Sequence, residues 1–80
     1  EADIEFNVID CFFGALGLAE KFHQDFHFQM RRIQTNPFQF QLRYKDIRIV
    51  HLKHFRYSIH YSIVDENITV LRILSQHQLY

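Results

Sequence analysis

The chain carries two hydrophobic rhythms, one in each half. Up to residue 35 the apolar positions recur every three or four residues, and from residue 47 onward they alternate with polar ones. The first rhythm belongs to helices with one buried face, the second to strands. Residues 2 to 13 read as a helix with Ile4, Val8, Cys11 and Phe12 on its apolar side and Asp3, Glu5, Asn7 and Asp10 elsewhere. Gly14 is a natural stop, and the turn from Gly14 to Gly17 holds both glycines of the chain. Residues 17 to 35 form the stronger helical pattern, with Leu18, Ala19, Phe22, Phe26, Met30 and Ile33 in one stripe. On the polar side Lys21 and Asp25 stand one turn apart, at pairing distance. Asn36-Pro37 ends this helix, because proline disfavours helical geometry in the residue before it.

The stretch from Pro37 to Asp46 reads as an ordered connection whose aromatics tuck under the core, since a leading proline and a basic end weaken its claim to be a strand. Residues 47 to 54 then predict a strand, and Phe55-Arg56 a short connection. Tyr57 to Val64 and Ile68 to Leu74 predict a hairpin around Asp65-Glu66-Asn67. In the first arm Tyr57, Ile59, Tyr61 and Ile63 share one face, and Ser58, His60, Ser62 and Val64 the other. The first face reads as core and the second as wetter. The predicted fold is α+β and two-layered: an antiparallel helical hairpin packed on a three-stranded antiparallel sheet. The last residues, from Ser75 on, leave the sheet.

Length and composition narrow the class. Eighty residues make one small domain, 1–80, and 48% hydrophobic residues with nine Phe supply its core. A single cysteine excludes an internal disulfide framework, and its apolar surroundings mark Cys11 as a small core residue. No apolar run approaches the roughly 18 residues that span a bilayer. Nine basic and nine acidic residues balance, which argues against a protein held to nucleic acid mainly by phosphate neutralisation. The charges are segregated, however. Five acids lie in the first twenty residues, whereas Arg31 to Arg56 holds seven basic residues and the single acid Asp46. His23 and His27 have zinc-compatible spacing but no evident third ligand, and His51 and His54 fall on opposite faces of a strand, so neither a metal nor a cofactor is expected.

Several of these segments, taken in order, resemble the RelE/ParE superfamily of type II toxin–antitoxin toxins, and more narrowly its ParE-like, plasmid-stabilisation branch. They are Glu1-Ala2-Asp3-Ile4, the turn that opens the second helix, Ala15-Leu16-Gly17-Leu18-Ala19-Glu20-Lys21-Phe22, then Asn36-Pro37-Phe38, Arg43 to Arg48, and Val70 to Leu74. The most specific part is the string from Leu52 to Tyr61, Leu-Lys-His-Phe-Arg-Tyr-Ser-Ile-His-Tyr. The resemblance implies a cytoplasmic toxin with a cognate antitoxin. In the ParE branch the target is DNA gyrase and the action is binding. In the RelE branch the target is messenger RNA on the ribosome and the action is cleavage.

The chain departs from the family pattern in three places. The family strand that precedes the first helix has no counterpart after Glu1. Its lack implies an unpaired sheet edge that invites pairing with a second copy, and an inactive, truncated toxin-like protein is one reading of it. Arg56 stands where members often carry Pro, and the tail is less basic. For partner binding the resemblance and the strand pattern point to Ile49, His51, Lys53, Ser58, His60, Arg72 and Leu74, with Val70 as a further apolar contact. For nuclease chemistry the candidates are His60, Arg72, Lys53 and His77. Against that chemistry, the position matching a catalytic Arg of RelE-like enzymes is Ser58, whose hydroxyl is too short and too weakly basic for the task.

Overall fold

A computed structural model describes residues 2–76. Two helices, α1 (Ala2–Ala15) and α2 (Ala19–Thr35), precede four strands: β1 (Leu42–Tyr44), β2 (Ile47–His51), β3 (Tyr57–Val64) and β4 (Asn67–Ser75). The strands form one antiparallel sheet in the order β1-β2-β3-β4. The helical hairpin covers one face, and the core between the layers contains Ile9, Phe13, Phe22, Ile33, Val50, Ile59, Tyr61 and Ile73. The α+β layering expected from the sequence is present, with one strand more than predicted.

That extra strand is β1, in the stretch read as a loop. It pairs with β2 across the two-residue turn Lys45-Asp46, where Lys45 adopts a left-handed φ of 48°. Of the aromatics before it, Phe40 is half-buried against Tyr61, whereas Phe38 is exposed beneath the Arg48 guanidinium.

Helix α1 runs one residue past Gly14, to Ala15. It closes in a Schellman arrangement at Gly17, whose φ is +74°: Leu18 N–H donates to the Phe13 carbonyl and Gly17 N–H to that of Gly14. The helix also presents a different face from the one predicted. Ile4, Val8, Cys11 and Phe12 are exposed, while Ile9 and Phe13 are buried and Phe6 packs beside them. The α1 sequence holds two apolar stripes at helical spacing, and the one with the larger rings wins. Phe6 and Phe13 meet Phe22 at 5.5 and 5.2 Å, and Phe13 meets Phe55 at 4.7 Å. Glu5 fixes the same rotation: its carboxylate accepts the Ile73 N–H at 2.9 Å and pairs with Arg72 at 2.8 Å. Because Ile73 lies on β4, the outer strand, α1 thereby caps part of the sheet edge.

Helix α2 buries the predicted stripe, with Phe22 and Ile33 fully inaccessible. Asp25 does not pair with Lys21. It is buried, and its two oxygens accept the backbone N–H groups of Lys53 (3.0 Å) and His54 (2.7 Å). This contact explains why β2 stops at His51 and not at His54: the carboxylate draws the chain out of the sheet and onto α2.

The β3–β4 hairpin turns on Asp65-Glu66, both at positive φ (50° and 68°), and Asn67 already belongs to β4. Its register shifts between His60 and Tyr61, where Arg72 and then Val70 stand opposite, leaving Leu71 as the extra residue. The shift reconciles an awkward pattern. Ile68 and Val70 need the core face, as does Ile73, and strict alternation would put Ile73 on the other side. With the bulge all three pack on the core.

Candidate functional site

The sheet face turned away from the helices is centred on β3. Ser58 stands between His51 and Leu74, and His60 between Ile49 and Arg72. Six of the seven residues predicted to contact a partner therefore share this face. Lys53 does not, because the chain has already bent toward α2. Val70 is moved to the core face by the bulge. His77 lies outside the described residues.

The face is drier than its composition implies. Ser58 and His60 are 0% exposed, and Ser62 and Ile49 are also buried. Strand geometry supplies the reason. Central-strand side chains lie in the trough between those of the neighbouring strands, Ser58 between His51 and Leu74 and His60 between Ile49 and Arg72, with Tyr44 also packed against the His60 ring. What remains accessible is the rim: His51 is exposed and Arg72 and Leu74 are half-exposed.

His51, Ser58, His60 and Arg72 each make a specific contact on this face. The His51 Nδ1 and the Ser58 Oγ share a hydrogen bond of 2.6 Å. The Tyr44 hydroxyl lies 3.2 Å from the His60 Nδ1. Arg72 donates from Nε to the Glu5 carboxylate at 2.8 Å. Burial pushes the His60 pKa below its ordinary value, and the Arg72 charge and the neighbouring His51 add to the fall while Glu5 opposes it, so the neutral ring is favoured. For Glu5, burial pushes upward, but the hydrogen bonds from Arg72 and Ile73 and the Arg72 charge outweigh it and hold the carboxyl below its usual range.

Chemically the face is a set of committed pairs. A serine beside a histidine is the beginning of a nucleophile–base arrangement, but a Ser58 hydroxyl without surface exposure offers nothing for a substrate to reach. His60 is similarly enclosed, and Arg72 is engaged by Glu5. Tyr44 is the contributor that sequence reasoning missed. The signal was present as apolar-bearing residues on both sides of Lys45-Asp46, the spacing of a two-residue hairpin. Among the described residues, no group of three or more His, Cys, Asp or Glu is placed to hold a metal ion. His23 is instead hydrogen-bonded to Asp10.

The family model described as "ParE toxin of type II toxin-antitoxin system, parDE" matches residues 8–80. The chain belongs to the ParE toxin family. No curated protein and no solved structure shows significant similarity to it. The range matched by the ParE family model takes in the α2 stripe, the Asp25 contact and the whole sheet. Among the described residues of this ParE family member, no helix is long and apolar enough to cross a membrane.

Proposed function

We propose that this toxin acts by binding, as a ParE-type poison of DNA gyrase in a plasmid-stabilisation system. A cognate antitoxin neutralises it by covering the face formed by β2, β3 and β4. The observation that carries this reading is the state of that face. The two nuclease candidates on that face are enclosed or engaged: His60 is buried and Arg72 is paired with Glu5, and the buried Ser58 stands where a RelE-like enzyme would carry its catalytic Arg. General acid–base cleavage needs groups within hydrogen-bond reach of the substrate. A binding surface needs only an accessible rim, here His51, Arg72 and Leu74 around a buried floor of Ile49, Ser58, His60 and Ser62.

The test is inducible expression of the full gene in a bacterium with two readouts. DNA damage with lost negative supercoiling supports the proposal. Cleavage of translated messages overturns it in favour of a ribosome-dependent endoribonuclease. Growth without either effect overturns it in favour of an inactive, association-only protein. Coexpression of the neighbouring antitoxin gene is expected to restore growth.

A further inference from the structure

A second surface lies away from the sheet face, where α2 meets the chain leaving β2. It is an open cleft of about 690 Å³. Its apolar wall is Leu18, Phe28 and Phe55, and Phe28 is 52% exposed. Three cationic or protonatable side chains, Lys21, Lys53 and His54, stand around it, all exposed. The one acid in the lining is Asp25, and it is turned to another task. Both of its oxygens are occupied by the Lys53 and His54 backbone amides, at 3.0 and 2.7 Å, and it is buried. Asp25 therefore fixes the backbone that carries two of these side chains while lying beneath the surface they present. Lys21, one turn before Asp25 on the same helix, has no ion pair with it.

We propose that this cleft docks an acidic segment of a partner protein, one that places an apolar anchor side chain against Phe28 and Phe55 and its carboxylates against Lys21 and Lys53. Charge complementarity selects the occupant. A second copy of this chain would have to offer an acidic strip, and on α1 only Asp3 is exposed, Glu5 and Asp10 being half-buried and engaged by Arg72 and His23. A basic segment is repelled. An open cleft holds one side of its ligand, which suits side chains projecting from a larger body more than an enclosed small molecule. The cleft lies outside the face assigned to gyrase and antitoxin above, so the inference stands or falls independently of that assignment.

Fluorescence anisotropy with short labelled peptides tests it. The probes are a peptide of Glu flanking Leu, the same peptide with Leu replaced by Ser, and the counterpart with Lys in place of Glu. The full chain is expected to bind the Glu–Leu peptide, to bind the other two at least about tenfold more weakly, and to lose affinity as salt rises. Lys21→Glu combined with Lys53→Glu, both exposed positions, is expected to weaken binding about tenfold or more, and Phe28→Ser to weaken it as well, with the thermal unfolding of each variant unchanged. Equal binding of the Lys peptide, indifference to the two lysine substitutions, or no binding of any probe would overturn the proposal.

Discussion

Removing the Asp25 carboxylate is the sharpest perturbation the fold offers. Its two oxygens accept backbone amides 28 and 29 residues away in sequence, so one side chain ties the middle of α2 to the exit of β2. A hydrogen bond to a charged group contributes about 1.5–3 kcal/mol. Lys53 and His54 are exposed, so water replaces part of what is lost, and the lower end applies to each bond. Asp25→Ala is then expected to destabilise by about 3 kcal/mol, against a total of roughly 4–12 kcal/mol for a domain of this length. At about 4–8 °C per kcal/mol, the thermal midpoint falls by more than about 10 °C. Asp25→Asn retains one acceptor oxygen and turns an amide donor toward the second N–H, so roughly half the loss is expected or somewhat more. Urea denaturation followed by circular dichroism measures both. Lys21→Ala is the control, since the Lys21–Asp25 pair that helical spacing predicts does not form; its effect is expected to stay within about 0.5 kcal/mol. A loss below about 1 kcal/mol for Asp25→Ala, or an equal loss for Lys21→Ala, would refute the reasoning.

Three further outcomes follow from the same structure. Phe13→Ala is expected to cost about 3–5 kcal/mol and Phe12→Ala under about 1, measured side by side in urea; the reverse order would mean that α1 is rotated by half a turn. Glu66→Gly relieves a left-handed residue and is expected to stabilise by about 0.5–1 kcal/mol, once the greater freedom of glycine in the unfolded chain is subtracted; a destabilised variant would contradict the positive φ at that position. Glu5→Gln is expected to destabilise by about 1–2 kcal/mol at neutral pH, a figure kept low by the half-exposed Arg72. Because folding lowers the Glu5 pKa, its contribution is fully present above the unfolded carboxyl value and disappears as pH falls through the folded one. Wild type and variant should therefore converge in acid, and a gap that persists there would point to packing instead.

The alternation of Tyr57 to Ile63 sufficed to name both faces of the central strand, because period two admits only one arrangement once the core side is known. It also placed six of seven candidate contacts on one surface. Three features escaped for physical reasons. The two stripes of α1 are equal in spacing, and only the ring stacking with Phe22 and Phe55 and the reach of Glu5 to β4 decide between them. The departure of β2 from the sheet is set by a carboxylate on a different helix, which no local pattern encodes. The burial of Ser58 and His60 depends on side chains from two neighbouring strands, so a polar alternating face was read as wet when its centre is dry. The bulge at Leu71 was foreshadowed: Ile68, Val70 and Ile73 break strict alternation, and a single extra residue restores it.

The claim that this ParE family member poisons by binding and not by cutting is tested most directly with purified protein. The chain is added in parallel to a gyrase supercoiling reaction and to a translation reaction programmed with a labelled message. The account predicts loss of supercoiling with the message intact. Cleavage of the message with supercoiling unaffected would contradict it.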